Sequence, residues 1–488
     1  MKLGRDILRL AVPSILANIT VPLVGMVDIA VAGHLGTAGG ASGATLIGGI
    51  SIGTMLFDML YWNFGFLRGG TGGLTAQAYG RYHSGAADAA EDIAVTLKRA
   101  LGIAFASGLV LVALQWVVVQ VAFLLVDCSP EVQRLATQYF YIRIWAAPAT
   151  LSLFAFKGWF IGMQDTVRPM ICDLLVNFTN ILLSAGLAFG YAGLPALGFS
   201  GVAWGTLLAQ WAGFTYAALA VRRRYGTLFR SPATNKNNMN CSQAETSDSR
   251  CEQKRPELSA SSDHGAHRDR GWRAFFVLNR DLFLRSICMI AVYIGFTMIS
   301  ARYGDLMLAV GAILMKLLMI FSYFTDGFAY AGEALTGRFI GEGSRDGVRS
   351  TVRQTFAWSL GVTGLFFLVY GIGGVPMFRL MTSDASVVEA GREFIPWLLL
   401  MPVIGCPAFT WDGIFTGATA SRDLRNSTLW CVAGFFTVWF SGIAIAGALR
   451  SPVPENVAIH ILMAAYFTHL AVRALYLTLR ARKAIPLV

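Results

Sequence analysis

The sequence predicts an all-α polytopic membrane protein, with twelve transmembrane helices in two six-helix bundles related by a pseudo-twofold axis along the membrane normal. Three observations lead there. The 488-residue chain is 55% hydrophobic and 14% charged, with a mean hydropathy of +0.56, whereas a soluble domain carries about 25% charged residues. Apolar runs long enough to cross a bilayer, at ~1.5 Å per residue, recur from end to end. The connections between those runs alternate between rich and poor in arginine and lysine. A transmembrane barrel needs short alternating strands, which the sequence lacks.

The runs fall at 7–33, 42–67, 98–126, 139–162, 169–192, 197–221, 281–301, 306–333, 353–378, 392–417, 428–449 and 457–478. The first is too long for the apolar core of a secretory signal and has no small-residue cleavage site after it. One set of connections holds Lys2, Arg5 and Arg9; Arg81, Lys98 and Arg99; Arg168; Arg222, Arg223 and Arg224; Arg338, Arg345, Arg349 and Arg353; Arg422 and Arg425; and Arg480, Arg482 and Lys483. The alternate set is poor, with Arg134, Arg302, Arg379, Arg392 and Arg450. The positive-inside rule then puts the rich set and both termini in the cytoplasm of a multi-pass protein of the plasma (inner) membrane. The net charge of +11 belongs to those loops and does not signal nucleic acid. Seven scattered cysteines (128, 172, 241, 251, 288, 406, 431) form no C-x-x-C or Cys/His cluster, so neither a disulfide framework nor a metal site is indicated.

Residues 225–275 are polar and Ser/Asn-rich, without apolar periodicity, and read as a disordered cytoplasmic linker. His264 and His267 lie in it as solvated side chains. The linker separates an N-terminal bundle, 1–224, from a C-terminal bundle, 276–488. Six spans is an even number, so both halves start on the same side, which predicts a parallel repeat. Echoes of that repeat run in order. Gly33-His34-Leu35-Gly36 matches Ala301-Arg302-Tyr303-Gly304. Gly65-Phe66, Leu74-Thr75 and Gly80 match Gly327-Phe328, Leu335-Thr336 and Gly341. Gly162 matches Gly417. The offsets drift through 268, about 261 and 255 as loop lengths differ.

Polar residues inside the spans are the candidates for function, because a buried charge costs ~2.5–3.5 kcal/mol at a helix centre. Asp28 sits in the outer half of span one. It either faces a water-filled cavity, where it takes a proton, a sodium ion or a cationic substrate, or lies near enough the interface to be solvated. In span five, Asn177, Asn180 and Ser184 share one helical face. They either coordinate an ion or bond to Asp28, or they hold helices together. Asp173 lies near the cytoplasmic end of that span, where solvation is expected. In span four, Arg143 is close enough to the outer boundary to snorkel. Arg68 follows Trp62-Asn63 in span two, among closely packing glycines. In the second half, Lys316, Asp326 and Glu333 lie in span eight and Asp412 in span ten. A lysine among three acids implies pairing across helices, as a static lock or a proton relay. Glu333 and Asp412 lie toward the cytoplasm, so solvation is open for both.

Several stretches taken together carry a resemblance. These are Val27-Asp28-Ile29-Ala30-Val31-Ala32-Gly33-His34-Leu35-Gly36, the run from Phe66 to Ala78 (FLRGGTGGLTAQA), and Gly158-Trp159 with Asp165-Thr166. Asp326-Gly327-Phe328-Ala329 with Glu333-Ala334-Leu335 follows, and then Asp412 to Thr419 (DGIFTGAT) with Arg425-Asn426. In this order, on twelve spans, they resemble the multidrug and toxic compound extrusion (MATE) family in its DinF-like branch, over both halves but not the linker. The resemblance implies a V-shaped antiporter that expels organic cations against an inward flow of H⁺ or Na⁺. It implies a coupling site around the first-helix aspartate, matched by Asp28, with partners at Asn180, Thr206 and Tyr141, and a bending proline at Pro13. It also implies a Na⁺ site at Asp28, Asn180 and Thr206. Many relatives carry a second aspartate where this chain has Ser184, which removes a charge from such a site and favours a proton. Lys316 stands where relatives have an uncharged polar residue.

The expected partners are a small amphipathic cation and the lipid bilayer, with no nucleic acid, no cofactor beyond the coupling ion, and a monomeric state. Two rival functions make different demands on the residues. A lipid-linked saccharide flippase of the same superfamily would want several cations facing its cavity, for which Arg68, Arg143 and Lys316 are the candidates. An integral membrane transferase would want a nucleophile, metal cluster or catalytic loop; the chain has no H-E-x-x-H, and its one G-x-S-x-G, Gly49-Ile50-Ser51-Ile52-Gly53, lies inside an apolar run rather than on a strand-to-helix turn.

Overall fold

A computed structural model describes residues 2–35, 43–86, 88–125, 128–229, 264–382, 385–449 and 452–485. Among these residues there are no strands. The first half holds α1 (Lys2–Leu35), α2 (Gly43–Trp62), α3 (Gly65–His83), α4 (Ala89–Ala113), α5 (Gln115–Leu125), α6 (Pro130–Arg143), α7 (Ala147–Gly162), α8 (Val167–Phe189) and α9 (Phe199–Tyr225). The second holds α10 (His264–Ala301), α11 (Gly304–Gly341), α12 (Arg345–Met381), α13 (Ala385–Arg392), α14 (Ile395–Gly417), α15 (Ser421–Leu449) and α16 (Glu455–Ala484). Eleven segments are long and apolar enough to cross a membrane, with α2 and α3 forming one and α6 and α7 another. The twelfth predicted span is α9. Its 27 residues are long enough, but glycines, polar residues and a terminal Arg222-Arg223-Arg224 lower its apolarity.

The predicted linker is shorter than expected. Tyr225 still belongs to α9, a 3₁₀ turn covers Gly226–Phe229, and α10 starts at His264, ahead of the predicted boundary at 276. Residues 230–263 lie outside the described residues. The second crossing of the first half breaks at Asn63-Phe64. There the Asn63 side-chain amide donates to the Met59 carbonyl at 2.7 Å, the acceptor its own backbone N–H would use in a continuous helix. The corresponding helix of the second half, α11, runs unbroken for 38 residues.

The internal repeat is visible in how the halves touch. Gly80 on α3 and Gly341 on α11 stand 261 positions apart. A Cβ at Gly80 would collide with the Arg338 carbonyl, and one at Gly341 with the Gln77 carbonyl, and Gln77 and Arg338 are themselves 261 apart. Such reciprocity is what a twofold axis requires of an isologous contact. Within the halves, Gly158 meets the Arg68 carbonyl and Gly413, 255 positions on, meets the Ala329 carbonyl, equivalent contacts repeated in each bundle. The same axis relates two turns. Gln164 after α7 and Thr419 after α14 hold φ values of 58° and 55°, the only positive φ among described non-glycine residues. Arg338 donates to Gln164 Oε1 at 3.2 Å, and Gln77 donates to Thr419 Oγ1 at 3.2 Å. Each half thus reaches into the other's strained turn.

Each half has its own apolar core, one built around Phe57, Tyr139 and Phe140, the other around Phe321, Phe394 and Leu462. A smaller cluster of Ile7, Leu10, Ala11, Ile161, Phe328 and Leu335 joins them. Contacts between the halves run through α1 against α11, α3 against α11, and α3 against α10 and α14. They lie in the part of the molecule that carries the N-terminus. Asn18 of α1, which donates to the Tyr323 carbonyl at 3.3 Å, is the last residue of α1 with a described bond to α11.

Candidate functional site

Beyond Asn18, α1 turns to its own half. Asp28, Val31, Ala32 and Leu35 fall at i, i+3, i+4 and i+7 and are all buried, while Met26 and Ile29 face outward. Asp28 is 6% exposed, and its Oδ1 is buried without a hydrogen-bond partner. Ser184 on α8 is its polar neighbour, and the Arg143 guanidinium acts on it through space. The Ser184 hydroxyl donates to the Val202 carbonyl on α9 at 3.3 Å, and a hydroxyl has one proton to give. Gly205 brings α9 this close, because a Cβ there would collide with the Ser184 backbone nitrogen.

One turn along α8, Asn180 Nδ2 donates to Thr206 Oγ1 at 2.8 Å, and Thr206 donates to Val202 O at 3.1 Å. The Asn180 Oδ1 is buried and unpartnered. Asn180, Ser184 and Thr206 therefore meet at the Val202 carbonyl, with Asp28 against Ser184. Two predicted members lie elsewhere. Asn177 donates to Thr20 Oγ1 at 2.7 Å and ties α8 to α1. Tyr141 packs on Phe140 and has no described bond to this group. One turn before Arg143, the Tyr139 hydroxyl accepts from Arg143 Nη1 at 3.1 Å. Arg143 does not snorkel; its guanidinium stacks 4.6 Å above Phe57. Pro13 sits within the continuous α1. Having no N–H, it frees the Arg9 carbonyl, which accepts from the Thr166 hydroxyl at 3.5 Å.

In the second half the expected pairing of Lys316 with the three acids does not occur. Lys316 is exposed and its field acts on Asp58 of the first half. Arginines hold two of the acids instead. Arg68 of α3 reaches across to Glu333 Oε2 at 3.0 Å. Asp412 receives Arg285 at 2.6 Å and Arg473 Nε at 3.0 Å. Glu333 is completely buried and Arg473 is 2% exposed, so solvation explains neither. Asp326 has no described ion pair; it stands in the fields of Arg68, Arg473 and Arg285. Asp173, expected to be solvated, pairs with Lys157 at 2.9 Å. Sequence reasoning missed Arg285, Arg473, Lys157 and Asp58, and it took Tyr141 in place of its span-four neighbour Tyr139. The first two were findable, because an arginine inside an apolar run demands an acid as much as the converse.

Two pseudo-symmetric helical bundles, joined at one end and each carrying buried polar groups between its helices, define a two-lobed integral membrane transporter. The MatE family model matches residues 13–185 and 282–438, and the chain belongs to this family. It is 32% identical over 437 residues to DNA damage-inducible protein F of Escherichia coli (strain K12), covering 88% of this chain and 83% of that protein. To the probable multidrug resistance protein NorM of Thermotoga maritima it is 21% identical over 449 residues, 91% of this chain and 85% of the relative. A crystal structure of MATE in the bent conformation superposes with a TM-score of 0.76 at 15% identity, covering 99% of this chain and 96% of the other. The DinF-like resemblance read from the sequence is thereby borne out. The protein is a transporter of small molecules, not an enzyme.

Proposed function

We propose that the protein is a secondary active antiporter that exports amphipathic organic cations in exchange for H⁺ by alternating access. One observation carries this reading: the buried Asp28 with its unpartnered Oδ1 against the single proton of Ser184. Ionised, Asp28 draws the Ser184 proton to itself and offers charge to a cation. Protonated, it donates to Ser184, whose own proton then stays on the Val202 carbonyl. The two states thus differ in how α1 is tied to α8 and α9. A sodium ion would want its charge offset by more than one carboxylate, and Ser184 adds no second charge beside Asp28. Na⁺ at Asp28, Asn180 and Thr206 is therefore the second choice of coupling ion.

With the N-terminus cytoplasmic, the joined end of the bundles faces inward and the separated end outward. Protonation from outside would release substrate there, and return of the proton inward would gain about 2.3 kcal/mol per charge per 100 mV of membrane potential. The flippase reading is weaker. A pyrophosphate would want several free cations together, whereas Arg68, Arg285 and Arg473 each touch a carboxylate, which leaves of the candidates only Arg143, bonded to Tyr139, and the exposed Lys316.

Proteoliposomes loaded with a fluorescent organic cation and given a pH or a sodium gradient alone provide the test. Efflux driven by the pH gradient is expected. Asp28→Asn is expected to bind the dye and fail to extrude it. Gradient-driven efflux by Asp28→Asn at the wild-type rate would refute the scheme.

A further inference from the structure

Two charges that the coupling scheme leaves unused, Asp58 and Lys316, stand at the mouth of a cavity between the halves. The cavity measures about 340 Å³, and its walls include Trp62 and Met319. On α2, Met55, Asp58 and Trp62 fall at i, i+3 and i+7, and all three are exposed. At the offset of 261 that relates α3 to α11, the same face recurs as Lys316, Met319 and Tyr323. Asp58 thus lies one turn from Trp62 toward the separated end, and Lys316 lies one turn from Met319 in the same direction. Lys316 is exposed as well, and neither charge has a described hydrogen bond or ion pair. Lys316 acts on Asp58 through space, as does Arg143 of Asp58's own half. Arg143 is engaged by Tyr139 and Phe57. A charge inside a span is costly unless it meets water or a partner. The register of closure is visible at the joined end. There Gly80 of α3 meets the Arg338 carbonyl of α11, a separation of 258 positions. The same separation carries Asp58 to Lys316. An ion pair, Arg68 to Glu333 at 3.0 Å, already joins these two crossings on the inner side.

We propose that Asp58 and Lys316 are the outer latch of the transport cycle. When the separated end closes, α2 packs on α11 in the register of the joined end, and the carboxylate meets the ammonium across the cavity mouth. The latch rests on the alternating-access reading, but not on which ion drives the cycle or on what the cavity carries. An ion pair that keeps water on one side favours the closed mouth by about threefold.

Met55→Cys, in the full chain lacking native thiols, reports the mouth. Its labelling by a membrane-impermeant maleimide is followed in right-side-out vesicles without any gradient. Asp58→Asn and Lys316→Gln are each expected to raise the labelling rate about threefold, and the two together no further than either alone. Asp58→Lys sets two ammonium groups against each other and is expected to raise the rate further. Adding Lys316→Asp to it is expected to bring the rate back toward wild type. A second measurement captures closure however seldom it occurs. Asp58→Cys with Lys316→Cys is expected to be joined by a short bifunctional thiosulfonate about fivefold faster than Asp58→Cys with Ala309→Cys, which lies two turns, ~10 Å, further out. Cross-linking no faster than in that control overturns the proposal. So do labelling rates that neither neutral variant changes, that add across the two, or that the charge exchange fails to restore. Efflux by Asp28→Asn bears on the coupling scheme alone and leaves these readouts as they are, so the two readings fail separately.

Discussion

At Asp412, two guanidiniums from α10 and α16 converge on one carboxylate. Removing that carboxylate leaves Arg473, 2% exposed, as an uncompensated buried charge. Asp412→Asn is therefore expected to cost about 3–5 kcal/mol, read as a fall in the thermal unfolding midpoint in detergent. The exposed pair Arg81–Asp92, with side chains 40% and 50% exposed, provides the contrast. Asp92→Asn is expected to change stability by less than about 1 kcal/mol. Lys316, exposed and without a described ion pair, is expected to tolerate Lys316→Gln within about 0.5 kcal/mol, and a large loss there would show a partner for it. At this scale the sequence was informative about which residues are costly and poor about who pairs with whom. Acids and bases inside apolar runs can be picked out by their expense. Partners come from other helices at separations such as Arg68 to Glu333, which no local spacing reveals. Tyr139 and Tyr141 are the clearest case, since two residues along a helix means opposite faces.

The helices meet through repeat-related glycines, and here the sequence was more informative. The echoes of Gly80 in Gly341 and of Gly162 in Gly417 turn out to mark where backbones touch. Gly158→Ala and Gly413→Ala each drive a Cβ into a carbonyl of the other packing helix and are expected to destabilise by about 1–3 kcal/mol or prevent folding. Gly102→Ala, on a face of α4 with nothing near it, is expected to be neutral or to stabilise by up to about 1 kcal/mol. Expression level and unfolding midpoint in detergent distinguish the two classes. The predicted linker failed at its edges for a related reason. Helices α9 and α10 continue past the apolar runs into charged sequence, where hydropathy has no signal but hydrogen bonding of the backbone still favours helix.

Across the whole molecule, the joined end is held by the paired Gln77–Thr419 and Arg338–Gln164 contacts. If each contributes about 1 kcal/mol, removing one shifts the balance between closed and open by about fivefold, and removing both compounds the effect. Ala11, fully buried where α1 meets α11, reports that opening. In an Ala11→Cys reporter lacking native thiols, labelling by a membrane-impermeant maleimide in inside-out vesicles is expected to rise with Gln77→Ala, with Arg338→Ala, and most with both. Unchanged labelling in the double variant would mean that the two contacts do not hold that end shut.

One asymmetry sets how such a machine can move. The first half's second crossing is interrupted at Asn63-Phe64, and its counterpart α11 is a single unbroken rod. The second crossing of the N-terminal half therefore has an elbow that α11 lacks, while the C-terminal half carries its own helix-interior prolines, Pro376 in α12 and Pro402 and Pro407 in α14. Straightening that elbow by Asn63→Leu, which frees the Met59 carbonyl for the backbone, is expected to slow turnover while leaving dye affinity unaltered.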